Sequence, residues 1–93
     1  MCIRDRPDVV ELWDWTLAPG ERHDSEAHSD GTRELLHVQE GTVTVEVDGN
    51  RYDLAPGDAL SFYGDAAHAY INSTDNSARF SLTVFEPDVG TAH

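Results

Sequence analysis

Hydrophobic and polar positions alternate along most of this chain. From Glu11 to Leu17, "ELWDWTL", Trp13, Trp15 and Leu17 fall on one parity while Asp14 and Thr16 fall on the other. A period of two marks a strand with one buried face, because successive side chains of an extended backbone point to opposite sides. "APG" then breaks the run. In "RELLHVQ", Arg33 to Gln39, the residues Glu34, Leu36 and Val38 share a face, and Gly41 separates this run from "TVTVEV", where Val43, Val45 and Val47 alternate with Thr44 and Glu46. "DGN", Asp48 to Asn50, predicts a hairpin turn, since Asp and Gly both accept positive φ. "RYDL" returns from that turn, and "APGD", Ala55 to Asp58, makes a second one. "ALSFY", "GDAAHAYIN" and, after the polar "STDNS", "ARFSLTVFEP" complete the pattern, the last with Phe80, Leu82 and Val84 alternating with Ser81 and Thr83. About seven or eight short strands, spaced by roughly 8 to 12 residues with no helical stripe, predict an all-β sandwich or barrel.

Composition narrows the possibilities. With 93 residues there is room for one domain and one core. A hydrophobic fraction of 39% favours a folded chain over a disordered one. Six Lys and Arg against 18 Asp and Glu give a net charge of −12, a field that repels phosphate backbones and anionic lipids. This segment is therefore not expected to touch nucleic acid itself. No apolar run approaches the ~20 residues of a membrane-spanning helix. Met1 to Arg6 runs into Pro7 and Asp8 rather than into the apolar core of a secretory signal, so a cytoplasmic location is expected. The single cysteine, Cys2, cannot form an internal disulfide and reads as an incidental thiol.

The opening "MCIRDR" follows neither periodicity. It resembles a translated sequencing adaptor, and residues 1–7 are expected to be a non-native or disordered leader to a domain spanning 8–90. The true protein is then expected to continue upstream.

Candidate chemistry concentrates in "HDSEAHSDGTRE", His23 to Glu34. Glu26 and His28 are two apart and share a face if the chain is extended there. Glu34 belongs to the parity of Leu36 and Val38, so its carboxylate faces the core, which is costly unless it is paired or bound to a cation. Either Arg33 or Arg51 at the rim, or a metal ion, could meet that need. His68 follows Ala66-Ala67 with Tyr70 and Asn72 on its own parity, and reads either as a ligand or as a hydrogen-bonded structural histidine. Imidazole and carboxylate donors suit a divalent transition metal such as Zn, Mn, Fe or Ni. His23 is on the opposite parity from Glu26 and His28, and His37 on the opposite parity from Glu34, so both are placed outside the ligand set. Trp13, Trp15, Phe62, Tyr70 and Phe80 read as core or pocket wall. Leu35 and Ile71 face outward and are candidates for a homodimer seam.

These residues resemble the two sequence motifs of the cupin superfamily. The first, G-x5-H-x-H-x(3,4)-E-x6-G, becomes Gly20, Glu26, His28, Glu34 and Gly41; the second, G-x5-P-x-G-x2-H-x3-N, becomes Gly57, Tyr63, Asp65, His68 and Asn72. The resemblance covers Gly20 to Asn72 and implies a double-stranded β-helix, a jelly-roll-like barrel. It implies metal-ligand positions at His28, Glu34 and His68, with Glu26 where the first histidine usually stands, and structural roles for Gly41, Gly57 and Asn72. Tyr63 and Asp65 replace the usual proline and glycine, and one extra residue precedes Glu34.

A narrower resemblance is to cupin domains at the C-terminus of bacterial xenobiotic-response-element (XRE) regulators, carried by "LAPGERHDSEAHSDGTRELLHVQEGTVTVEVDG" and "LAPGDALSFYGDAAHAYIN". It implies a sensor of a small-molecule effector, with a pocket at Phe62, Tyr70 and Trp15 and DNA contact left to a helix-turn-helix domain outside this chain. The other functions that the superfamily implies are a stand-alone metal-dependent dioxygenase or isomerase, or a metal-free binding module.

Overall fold

A computed structural model describes residues 9–27 and 30–87. The expected leader, Cys2, His28 and His93 lie outside these residues. Eight strands are present: β1 (Val9–Leu17), β2 (Arg22–Ser25), β3 (Arg33–Glu40), β4 (Val43–Val47), β5 (Asn50–Leu54), β6 (Ala59–Tyr63), β7 (His68–Ile71) and β8 (Ala78–Glu86). They form two four-stranded antiparallel sheets in the orders β1-β8-β3-β6 and β2-β7-β4-β5.

The runs of β1, β3, β4 and β8 carry the alternation read from the sequence; β2 does not. "RHDS" has no apolar residue to mark a buried face, and it becomes a strand through pairing with β7, Arg22 opposite Ile71 and Ser25 opposite His68. Tertiary pairing overrides weak local preference here, as is common for strands.

The turns obey backbone sterics. Asp48 and Gly49 connect β4 to β5 with φ of 50° and 82°, both positive as a type I′ two-residue hairpin requires. At Gly41, φ is 72° and a Cβ would stand 2.7 Å from the Ser77 carbonyl oxygen, so neither the conformation nor the space admits a side chain. Asn72, fully buried, donates from Nδ2 to the carbonyls of Leu17 and Asn76, and its Oδ1 accepts from the Thr74 amide and hydroxyl. It ties the end of β1 to the loop before β8, the structural role expected of it.

The core lies between the sheets. Leu17, Leu36, Val38, Val43, Val45, Ala78 and Phe80 are essentially sealed from solvent at one end of the sandwich. The other end differs. Along the inner face of the first sheet, register aligns Glu11, Val84, Glu34 and Phe62 in one row across β1, β8, β3 and β6. Polar groups thus enter the interior at this end. On the outer face of the same sheet Leu12, Thr83, Leu35 and Ser61 form a row, with Leu12 76% and Leu35 48% exposed. Ile71 lies on the outer face of the other sheet, beside Arg22 and Thr44. Leu35 and Ile71 therefore lie on the outer faces of different sheets, because parity assigns outwardness without saying which sheet a residue belongs to.

Candidate functional site

Glu34 anchors the polar end. Its position on β3 directs the carboxylate inward, where it is 1% exposed. The Tyr70 hydroxyl donates to Oε1 at 2.6 Å, and His68 Nε2 lies 3.1 Å from Oε2 with both side chains sealed from water. Neither Arg33 nor Arg51 is the partner. Arg33, on the opposite face of β3, stacks over the Tyr63 ring at 4.5 Å and donates to Ser61, while Arg51 pairs with Glu46. Space for the carboxylate comes from Gly64, where any Cβ would run into Glu34 Oε2.

The second donor is oriented by its backbone. His68 Nδ1 lies 2.8 Å from the Ala66 carbonyl oxygen, which can only accept, so Nδ1 carries a hydrogen and Nε2 is the atom turned towards Glu34. An imidazole nitrogen and a carboxylate oxygen 3.1 Å apart require a cation between their lone pairs, either a proton or a metal ion. Burial lowers the His68 pKa, but the Glu34 hydrogen bond, the Ala66 carbonyl and the Glu34 charge outweigh it and leave the pKa above its ordinary value. For Tyr70, burial first, and then the hydrogen bond and charge of Glu34, push the phenol far above its usual range. Tyr70 is therefore a fixed donor, and the His68–Glu34 pair is the place that can take an exchangeable proton or a metal ion.

The chemistry of the two donors fits a metal. Two ligands each about 2.1 Å from an octahedral ion stand about 3 Å apart, matching the His68–Glu34 separation, and the hydrogen bond at Nδ1 is the usual orienting contact for a ligating histidine. Among the described residues no group of three or more potential ligands converges. Glu26 is exposed in the segment after β2, and His28 lies outside the described residues.

A pocket of about 190 Å³ opens between the sheets and reaches Glu34. Trp15 and Tyr70 line it, whereas Phe62 packs edge-on against the His68 ring, 5.3 Å between centroids. Trp13, Glu11 and Glu86 line it as well. Glu11 and Glu86 continue the inward parity of Trp13 and Trp15 on β1 and of Leu82 and Val84 on β8, the same signal that singles out Glu34. His23 also belongs to this wall: its ring meets Trp15 at 4.5 Å and stacks with Tyr70 at 6.2 Å. This wall position is a different role from the metal-ligand set, from which parity with Glu26 and His28 excludes it. His37, on the outer face of β3, is exposed.

Two antiparallel sheets wrap into a small double-stranded β-helix, with a carboxylate, an imidazole and a phenol converging at one end. The cupin-domain family model matches residues 13–85, and the chain belongs to the cupin family. Its fold is similar to the cupin domain of an XRE-family transcriptional regulator from Enterobacter cloacae, 28% identical at a TM-score of 0.76, covering 83% of this chain and 94% of that one. It is also similar to an HTH_3-family transcriptional regulator from Vibrio cholerae, 31% identical at a TM-score of 0.80, covering 84% of this chain and 43% of that one. A cupin-superfamily sugar phosphate isomerase from Silicibacter pomeroyi is 28% identical at a TM-score of 0.67, covering 81% of this chain and 49% of that chain. No curated protein matches the chain. The chain is thus a cupin domain of the kind found in XRE-type regulators. No helix among the described residues is long and apolar enough to cross a membrane.

Proposed function

We propose that this chain is the effector-sensing domain of a bacterial, cytoplasmic transcriptional regulator. A small molecule enters the pocket between β1 and β2, and DNA contact belongs to a separate helix-turn-helix domain. The observation that carries this reading is a pocket bounded by both sheets whose inner end is the buried Glu34. A ligand there touches both sheets at once and so favours one spacing between them, which is how differential affinity shifts a conformational equilibrium. His28, Glu34 and His68, with Glu26, hold a divalent transition metal, and two domains associate through the outer face that carries Leu35.

Thermal unfolding across a library of metabolites, with and without divalent metals, tests the reading. A ligand at a hundred times its Kd adds about 2.7 kcal/mol of stability. A library with no hit at millimolar concentration overturns it.

The second reading is a stand-alone cupin enzyme of the isomerase or dioxygenase type, favoured by the buried Glu34–His68 pair beside the pocket. Catalytic turnover of a bound library hit by the purified chain would establish this reading in place of the sensor.

A further inference from the structure

The lining of the pocket has a consistent chemistry. Its walls are the rings of Trp13, Trp15, His23 and Tyr70, drawn from both sheets, and Trp15 stands edge-on to Tyr70 with 5.5 Å between centroids. Carboxylates sit among these rings: Glu34 at the inner end, with Glu11 and Glu86 also lining the pocket. No lysine or arginine of the described residues lines it. Elsewhere this acidic chain spends its arginines on its carboxylates, as Arg22 does on Asp24 and Glu46 and Arg79 on Asp14 and Glu40. Among the described residues Glu11 and Glu86 form no such pair, and Glu11 takes only the indole N–H of Trp13, at 3.3 Å.

Aromatic faces carry negative potential and attract cations, and carboxylates beside them do the same. An anionic ligand would meet the carboxylates of Glu11 and Glu86 and the chain's net charge of −12. A neutral ligand would leave that field unanswered. The volume, about 190 Å³, is below the roughly 300 Å³ at which sites for drug-sized molecules begin, so the ligand is small.

We propose that the pocket between β1 and β2 takes a small organic cation, an ammonium or guanidinium group on a short apolar body, with the cationic head between Glu11 and Glu86 and the body against the tryptophans. This rests on the sensor reading of the same pocket and names the class of its effector. Charge alone does not carry the assignment, since the rings supply an enclosure that suits cations and apolar groups together.

Calorimetric titration of the whole chain with two matched series tests it: n-butylammonium, 1-butanol and butanoate, and benzylammonium, benzyl alcohol and benzoate. The ammonium members are expected to bind at least roughly tenfold tighter than the alcohols, and the carboxylates not to bind. Replacing both acids, Glu11→Gln with Glu86→Gln, is expected to weaken benzylammonium about tenfold while leaving benzyl alcohol unchanged. Trp13→Leu, at a half-exposed position, is expected to weaken both. Far-ultraviolet circular dichroism and melting temperature confirm that each variant folds. An alcohol or carboxylate binding as tightly as its ammonium partner, or a double variant that binds benzylammonium like the parent, overturns the proposal. The sensor reading fails separately, only if the wider metabolite library also gives no hit; a library whose hits are all neutral or anionic defeats the cation assignment and leaves the sensor standing.

Discussion

Glu34 Oε2 fills the space beside Gly64 into which any side chain at that position would project. The glycine on the turn after β6 and the carboxylate on β3 are therefore one structural unit, held also by the Gly64 amide donating to the Thr32 carbonyl at 2.8 Å. Gly64→Ala is expected to destabilise the fold by about 1–3 kcal/mol, the usual cost of overpacking a filled interior. A lowered urea midpoint at constant slope reads this directly. A midpoint equal to the parent's would mean that the carboxylate can move aside freely.

Tyr70→Phe removes the only donor to Glu34 Oε1 that a hydrogen bond among the described side chains identifies, while the ring contacts with Trp15 and Phe80 remain possible. The loss leaves a buried charged acceptor short of one bond, worth about 1–3 kcal/mol. A double-mutant cycle with Glu34→Leu, which leaves no acceptor for the hydroxyl, should return a coupling of the same order, since each change removes the same contact. Additive effects would show that the bond contributes nothing.

The His68–Glu34 pair makes stability depend on pH. The folded pKa of His68 lies above the ordinary histidine value of about 6.5, so the folded state holds the proton more tightly than the unfolded chain. The stabilisation is complete below that unfolded value and is lost as pH rises through the raised folded pKa. Unfolding free energy measured from about pH 6 to about pH 9 should fall, and His68→Gln should flatten that fall. A parent protein whose stability is level or rising over this window contradicts the assignment of the proton to this pair.

Addition of Zn, Mn, Fe or Ni at neutral pH should load the metal proposed at His28, Glu34 and His68. Elemental analysis after dialysis should find it lost in His28→Ala and retained in His37→Ala, whose residue is exposed on the outer face of β3. A parent chain that takes up none of the four metals removes the metal from the proposal.

For the proposed dimer, Leu35→Lys and Leu12→Lys should shift light scattering towards the monomer, because both residues are exposed on the same outer face. Ile71→Lys, on the other sheet, should not. A monomeric parent at high concentration ends the dimer reading.

Much of this architecture is legible in the sequence because alternation and side-chain direction are the same fact. The parity of Glu34 with Leu36 and Val38 places its carboxylate inside, and the parity of His68 with Tyr70 brings both to it. What parity does not carry is the partner across the sandwich. It rules out Arg33, the neighbour of Glu34 on the opposite face, but leaves Arg51 open as a partner, although Arg51 is held by Glu46. It also says nothing about β2, both of whose faces are polar. The turn chemistry of Asp48-Gly49 is legible from residue type alone, since few other pairs tolerate two positive φ values. The role of Gly64 is not, because it depends on a side chain thirty positions away in sequence that only the fold brings near.

The placement of β1 has a further consequence. It is the outermost strand of its sheet, hydrogen-bonded on one side only, to β8, yet it contributes Glu11, Trp13 and Trp15 to the pocket wall. An occupant gripping those side chains against His23 and Tyr70 serves as a second neighbour for a strand that otherwise has one. Occupancy is then converted into rigidity of the β1 backbone, so that amide exchange along Val10–Thr16 becomes a gauge of how full the pocket is.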